Sequence, residues 1–293
     1  MHLVTFSESN VIRIGILDDS LTKIIDVSRI WPSAPTDMNR LIEQECEYVN
    51  KLRSLVTTAQ SHFDLQQVKL LAPIQNPKRN IICVGKNYRE HVNEVQTAIS
   101  NRNGEMPKVP IFFTKATTSV VGTEDSIPVS ADFTASADYE GELGVIIGKG
   151  GKHIQPDEAM EHVFGYTIIN DVTSRRLQKS HHQWFLGKSL DGFCPMGPCL
   201  LTKDSVNDVS QLEINTYVNG ELRQQGQVNQ MIFDIPCLIQ QLSKSMTLIP
   251  GDIIATGTPA GVGMGFKPPK FLHPGDKVSI KIDPIGCLEN ICC

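Results

Sequence analysis

The sequence predicts a β-rich α+β protein in which a small N-terminal α/β domain (residues 1–72) precedes a larger C-terminal domain (residues 73–293). Short apolar segments of strand length recur along the whole chain, bounded by Gly, Asn, Asp and Pro, whereas apolar residues at helical spacing occur in only a few places. Pro73 and Pro77 bracket a stretch that reads as the linker between the two parts. A chain of 293 residues can bury a large core.

Residues 1 to about 30 carry apolar runs at Leu3-Val4, Val11–Leu17 and Ile24–Val27, separated by Ser-Asn and Asp-Asp turns, and predict a small antiparallel meander. Met38 to about Ala59 places Leu41, Ile42, Tyr48, Val49, Leu52 and Leu55 at helical spacing, which predicts one or two helices packed on that meander. Asn80–Gly85 reads as a buried strand. Beyond it, the segment from about 88 to 106 is polar, contains Asn101-Arg102-Asn103-Gly104, and reads as an exposed element of the kind that serves as a lid.

Pro110–Lys115 predicts another strand. Asp138-Tyr139-Glu140-Gly141-Glu142-Leu143-Gly144-Val145-Ile146-Ile147 predicts a strand whose apolar end is buried. A turn at 148–151 and a short helix at 157–163 lead to the strand Phe164–Val172, which carries Asp171 at its end. Thr173 to about His182 reads as helical, and 184–198 as a Gly/Pro-rich loop holding Lys188. Leu212–Leu222 alternates around Asn219-Gly220, a hairpin turn. Ile232–Leu242 predicts a helix, Gly251–Pro259 a strand running into a small-residue loop, and Gly275–Asp283 a closing strand.

Composition narrows the function. Forty per cent hydrophobic and 20% charged residues describe an ordinary soluble chain, and a net charge of −5 without any long Lys/Arg block points away from nucleic acid and anionic membrane surfaces. No apolar run approaches about 18 residues, so no membrane span is expected. The eight cysteines form no Cys-x-x-Cys pair, the N-terminus lacks a basic segment followed by an apolar one, and Asn290-Ile291-Cys292-Cys293 lacks the cysteine four from the end that prenylation needs. Reduced thiols in the cytoplasm and a small-molecule substrate are the expectation.

Three constellations could carry chemistry. Glu140 and Glu142 alternate to one face of their strand, where two like charges repel unless a cation lies between them. With Asp171 on a neighbouring strand they offer three hard oxygen ligands and no partner His or Cys, a set that favours Mg²⁺ or Mn²⁺ over zinc. A solvent-facing Glu-x-Glu on an edge strand, with Asp171 capping the following helix, fits the same spacing. His91 and Glu94 share a helix face three residues apart, either as a dyad in which the carboxylate orients a general base or as an ordinary surface pair. Lys188 reads either as a group that steadies a substrate anion or as a solvated lysine. His181-His182 and Cys194 with Cys199 form no ligand quartet, and Gly257–Gly263 does not match a phosphate-binding fingerprint.

In chain order, Gly85-Lys86-Asn87-Tyr88-Arg89-Glu90-His91, Asp138–Leu143, Asn170-Asp171-Val172-Thr173, Gly187-Lys188-Ser189 and Thr256-Gly257-Thr258-Pro259-Ala260-Gly261-Val262-Gly263 resemble the fumarylacetoacetate hydrolase family, from about residue 75 to the end. The likeness is greatest to the bacterial members grouped with acylpyruvate hydrolases and oxaloacetate decarboxylases, and includes Phe266–Phe271. The resemblance implies a distorted β-roll core in a catalytic C-terminal domain, a homodimer, and Mg²⁺ or Mn²⁺ held by Glu140, Glu142 and Asp171. It implies His91, Glu94 and Lys188 as catalytic groups, the first two on a lid helix, and Arg89, Gln178 and Thr258 as substrate-binding groups. One departure stands out: Arg176 occupies a position where many members carry an acid.

The activity so implied is metal-dependent cleavage of a C–C bond in an α-keto acid. Hydrolysis of an acylpyruvate, fumarylpyruvate or fumarylacetoacetate-type diketo acid through an enolate leads, because His91 with Glu94 can activate water. Decarboxylation of oxaloacetate passes through the same enolate and comes second. Isomerisation or hydration of an unsaturated keto diacid, and metabolite binding without turnover, are the further alternatives.

Overall fold

The computed structural model describes residues 1–100 and 105–293, the side chains of residues 45, 46, 99 and 100 excepted. At its centre the strand Gly141–Ile147 pairs antiparallel with Val163–Asn170 on one side and with Ile253–Ala255 on the other. Every residue of Gly141–Ile147 and Val163–Asn170 is buried, because both faces of this sheet are covered. Ile253–Ala255 then runs parallel to Ile81–Gly85, which pairs with Ile111–Lys115. In the opposite direction the sheet continues through Cys194–Thr202 to His2–Glu8, Val11–Leu17 and Lys23–Asp26. The expected N-terminal meander is present, and the pairing of His2 and Leu3 with Leu201 and Leu200 joins it to the main sheet.

Alternation along Gly141–Ile147 divides the core. Leu143, Val145 and Ile147 pack with Ile214, Val278, Ile280 and Leu288 of a second, five-stranded sheet built on Glu213–Val218, Glu221–Gln227, Lys277–Ile282, Gly286–Cys292 and Ser126–Ile127. Ile146 faces the other way, into a cluster with Trp31 and with Leu41, Ile42 and Leu52 from the N-terminal helices Met38–Glu43 and Glu45–Val56. Gly141 lies on the side of the five-stranded sheet, where a Cβ would overlap Thr216 Oγ1 and press on Ile280. Glycine between the two glutamates is therefore a packing requirement, and it lets the two sheets close directly behind Glu140 and Glu142.

The β-rich α+β class is observed, and several local readings need correction. Residues 159–162 form a single 3₁₀ turn, and the strands flanking it are antiparallel. The 184–198 segment holds the short helix Phe185–Lys188 and the start of the strand Cys194–Thr202. Its prolines obscured that strand. Between the pairs Tyr166↔Leu201 and Ile168↔Gly197 the register shifts, so Pro198 sits in a bulge where the ladder asks for no amide. Asp171 caps no helix: Arg175–Ser180 starts after Ser174, and Thr173–Ser174 instead pairs with Ala137–Asp138. The segment from about 88 to 106 is the helix Arg89–Ser100 over its first part, and its start is core, since Tyr88, His91 and Val92 are buried. Residues 101–104, read as polar and turn-rich, lie outside the described residues.

Elsewhere the turn chemistry is met. Asn219 and Gly220 both adopt positive φ, 52° and 80°, as a two-residue hairpin demands. Asp234 caps the helix Ile235–Ser245 by accepting from the Cys237 amide at 2.9 Å. The close approach at Gly141 yields a direct test: Gly141→Ala is expected to lower stability by about 1–3 kcal/mol, the usual cost of forcing a methyl group into a packed core. Thermal unfolding checks this, and an unchanged Tm would show that the two sheets are not in contact there.

Candidate active site

Glu140, Glu142 and Asp171 converge, with one oxygen from each lying within 4.8 Å of the others, and all three are buried. The ladder explains why. Gly141 faces Asn170 across the antiparallel pair, and just beyond that pair the Asp171 amide donates to the Glu140 carbonyl at 2.8 Å. Asn170 Oδ1 accepts from the Glu140 amide at 3.1 Å, which fixes the same junction from the other side. The third carboxylate is placed by the loop after Ile253–Ala255, where the Gly257 amide donates to Glu142 Oε2 at 2.7 Å. Gly257 has φ +102°, and a Cβ there would lie 2.8 Å from that of Asn87, so both backbone and space call for glycine.

Cations surround the triad. Lys188 Nζ donates to Glu140 Oε2 at 2.7 Å and to Asp171 Oδ2 at 2.6 Å. Lys115 Nζ reaches Asp171 Oδ1 at 2.7 Å and the Val172 carbonyl at 3.0 Å. Arg175 joins Glu140 at 2.7 Å and Asp138 at 2.8 Å. Burial would raise the Glu140 carboxyl, but Lys188 and Arg175 outweigh it and hold the group below the usual carboxylate range. Burial likewise opposes the Lys188 charge, and Asp171 and Glu140 overcome that to keep it protonated. Glu142 differs. Burial first, then the neighbouring Asp171 and Glu140 carboxylates, push it well above the ordinary value.

This donor set fits a hard divalent cation. Three carboxylate oxygens within 4.8 Å of one another can each lie about 2.0–2.6 Å from a common centre. Glu142, whose charged form burial and like charge oppose, is also the group that an added positive charge would relieve.

Of the remaining residues singled out from sequence, His91, Gln178, Thr258 and Lys188 line a cavity of about 620 Å³ above Glu140 and Glu142. His91 Nδ1 lies 3.4 Å from Glu94 Oε2, and the Glu94 carboxylate accepts from the Gly261 amide at 3.0 and 3.1 Å. Thr258 Oγ1 donates to the Gly141 carbonyl at 2.9 Å and accepts from Gln224 at 2.7 Å. Arg89 is the exception. It is exposed and lines a separate, smaller cavity with Glu90 and Gln225. Arg89 precedes His91 by two residues, roughly 200° of helical rotation, and so faces away from it, so the substrate-binding role assigned to it is not supported by its position.

Lys188 is no solvated lysine but a buried bridge between the carboxylates of Glu140 and Asp171. Arg176, the departure from the family pattern, is exposed at the cavity, donates to the Thr134 carbonyl and adds a cation beside Lys86, Lys179 and His182. Sequence reasoning missed Lys115 and the aromatic wall of Phe113, Trp184 and Phe271. The available signal for Lys115 was a charged residue closing the apolar strand Ile111–Lys115, with no solvent-facing alternation to excuse it.

Residues 80–292 match the family model described as fumarylacetoacetate (FAA) hydrolase, C-terminal. The chain belongs to this family. Among relatives, an oxaloacetate tautomerase of Bacillus subtilis (strain 168) is 47% identical over 289 residues, 94% of each chain. A solved structure of a fumarylacetoacetate hydrolase from the psychrophile Exiguobacterium antarcticum superposes with a TM-score of 0.85 at 43% identity, covering 100% of this chain and 99% of that one. A maleylpyruvate hydrolase from Sphingobium sp. SYK-6, solved in complex with manganese(II) and pyruvate, has a TM-score of 0.79 at 29% identity and covers 100% and 98%. Membership accounts for the strand-rich α+β fold, and these family members are enzymes. Among the described residues no helix is long and apolar enough to cross a membrane.

Because burial and the neighbouring carboxylates raise the Glu142 carboxyl, and a ligand must be deprotonated, divalent-cation binding is expected to tighten as pH rises and to release a proton wherever that carboxyl is still protonated. Calorimetry with Mn²⁺ in buffers of differing ionisation enthalpy measures this. Affinity that does not rise with pH would contradict the raised Glu142 carboxyl.

Proposed function

We propose that this protein is a divalent-cation-dependent tautomerase of oxaloacetate or a closely similar α-keto acid, moving a proton between carbon and oxygen of the keto–enol pair. The observation that carries this reading is the relative named oxaloacetate tautomerase, 47% identical over 94% of both chains. Glu140, Glu142 and Asp171 would hold the cation, which when bound polarises the keto and carboxylate oxygens of the substrate.

The chain's own groups supply the rest. His91 lines the cavity with one ring nitrogen directed to Glu94, leaving the other for the substrate. The imidazole takes a proton from C3 of the keto form and returns it to the C2 oxygen, so that the net change is one proton moved and no bond between carbons broken. Glu94 stabilises the imidazolium in between. The 3.4 Å separation of the dyad is long for a hydrogen bond, and it shortens as the imidazole becomes charged. Lys188 sets an N–H donor beside Glu140 and Asp171, where negative charge grows on the substrate oxygen. Arg175 at the cavity floor and Arg176, Lys86 and Lys179 around it suit a doubly anionic substrate.

The lean toward acylpyruvate hydrolysis drawn from the motifs gives way here to tautomerisation, a reaction not among the alternatives drawn from the sequence, because a tautomerase needs the same triad and dyad and asks for no nucleophilic water. Hydrolysis stays as the second reading on one observation: a cavity of about 620 Å³ is larger than a four-carbon keto diacid requires. Oxaloacetate offered with Mg²⁺ or Mn²⁺ discriminates. The expected result is accelerated keto–enol interconversion without pyruvate or CO₂, lowered on the order of 10²-fold or more in His91→Ala. Stoichiometric pyruvate from oxaloacetate would establish decarboxylation instead. Cleavage of an acylpyruvate faster than any tautomerisation would establish hydrolysis.

A further inference from the structure

Asp138 is fully buried two residues before Glu140, and its carboxylate collects four donors. Oδ1 accepts from the Tyr139 amide at 3.0 Å and the Gly263 amide at 2.7 Å, while Oδ2 accepts from the Met264 amide at 3.0 Å and Arg175 Nε at 2.8 Å. Tyr139 takes hold of the same loop, its hydroxyl donating to the Gly261 carbonyl at 2.8 Å. Two consecutive side chains thus grip residues 261–264, and the third residue of the series, Glu140, belongs to the triad. On its other side this loop seats the Arg89–Ser100 helix. The Gly261 amide donates to both oxygens of Glu94, and a Cβ on Gly265 would overlap the Glu94 carboxylate. Gly265 is not among the positive-φ glycines, so the space taken by Glu94, and not the backbone, is what calls for glycine there.

From this continuous set of contacts we infer that Asp138 is a positioning residue which, through the 261–265 loop, holds the Glu94–His91 dyad at a fixed distance from the metal-ligand Glu140. Asp138 touches neither the cavity nor the dyad. It acts through Gly263, Met264 and Arg175, and Arg175 closes the circuit onto Glu140 at 2.7 Å. An ionised carboxylate is needed because all four of its partners are donors. An asparagine would set an NH₂ group against two of them, whichever way it is turned, and release one corner of the loop. The inference rests on the proposal that His91 transfers the proton. A displacement of about 1 Å between base and substrate costs on the order of 10²-fold in rate, whereas binding at the triad needs no dyad.

The test uses the Mn²⁺-loaded enzyme with oxaloacetate and compares Asp138→Asn, Gly265→Ala and His91→Ala, singly and in pairs with His91→Ala. Each of the first two is expected to lower kcat on the order of 10- to 10²-fold, with KM and Mn²⁺ affinity within about 2-fold of wild type. In the His91→Ala background neither should cause further loss, because a device that acts through the dyad has nothing left to position. If Asp138→Asn fails to fold, since it leaves Arg175 less compensated, Gly265→Ala alone decides. A loss of kcat that persists undiminished without His91, or an unchanged kcat in Gly265→Ala, would overturn the inference. Wild-type turnover in His91→Ala would overturn the reading of the dyad itself, a separate failure.

Discussion

Mutual repulsion of buried carboxylates is the constraint on which this structure depends. Asp138, Glu140, Glu142 and Asp171 are removed from water within one short stretch of the central sheet, and taking each charge out of water costs several kcal/mol unless a cation compensates it. Lys115, Lys188 and Arg175 do so for Asp138, Glu140 and Asp171. Glu142 is left with the Gly257 amide. The centre is therefore short of positive charge at one carboxylate, where a divalent cation would supply what is missing. The same balance explains why Lys115 is buried beneath a strand end and why Arg175 forks between two acids.

Much of this was legible in the sequence. Strict alternation placed Glu140 and Glu142 on one face, and a carboxylate at the end of the strand Val163–Asn170 fell beside them because the two strands run antiparallel and in register. The five motifs in order identified the family. What stayed hidden is long-range or set by space. Lys115 comes from a strand on the far side of the sheet, 56 positions before its partner Asp171, and no spacing rule joins them. The strand Cys194–Thr202 read as a loop because of Pro195 and Pro198, the second of which fits only where a bulge relieves the ladder. Arg89 was carried into the site by its motif, yet helical geometry turns it away from His91.

The arrangement also accounts for the range of reactions named among the family members compared here. On the proposed reading, triad, dyad and buried lysine would stabilise negative charge on an α-keto acid and move one proton, and nothing in those groups would select which bond of the substrate yields. That choice falls to the cavity wall, where Arg176, Lys179 and Lys86 meet the apolar faces of Phe113, Trp184 and Phe271. That reading places the chemistry on residues fixed in the core and selection on residues at its opening.

The central claim is that three carboxylates form one divalent-cation site. Electron paramagnetic resonance of Mn²⁺ titrated into the protein tests it most directly, since free and bound ion are counted separately. The account predicts one Mn²⁺ per chain, lost on Glu142→Gln or Asp171→Asn in protein that still folds. Full Mn²⁺ occupancy in both variants would contradict it, as would the absence of binding in the wild type.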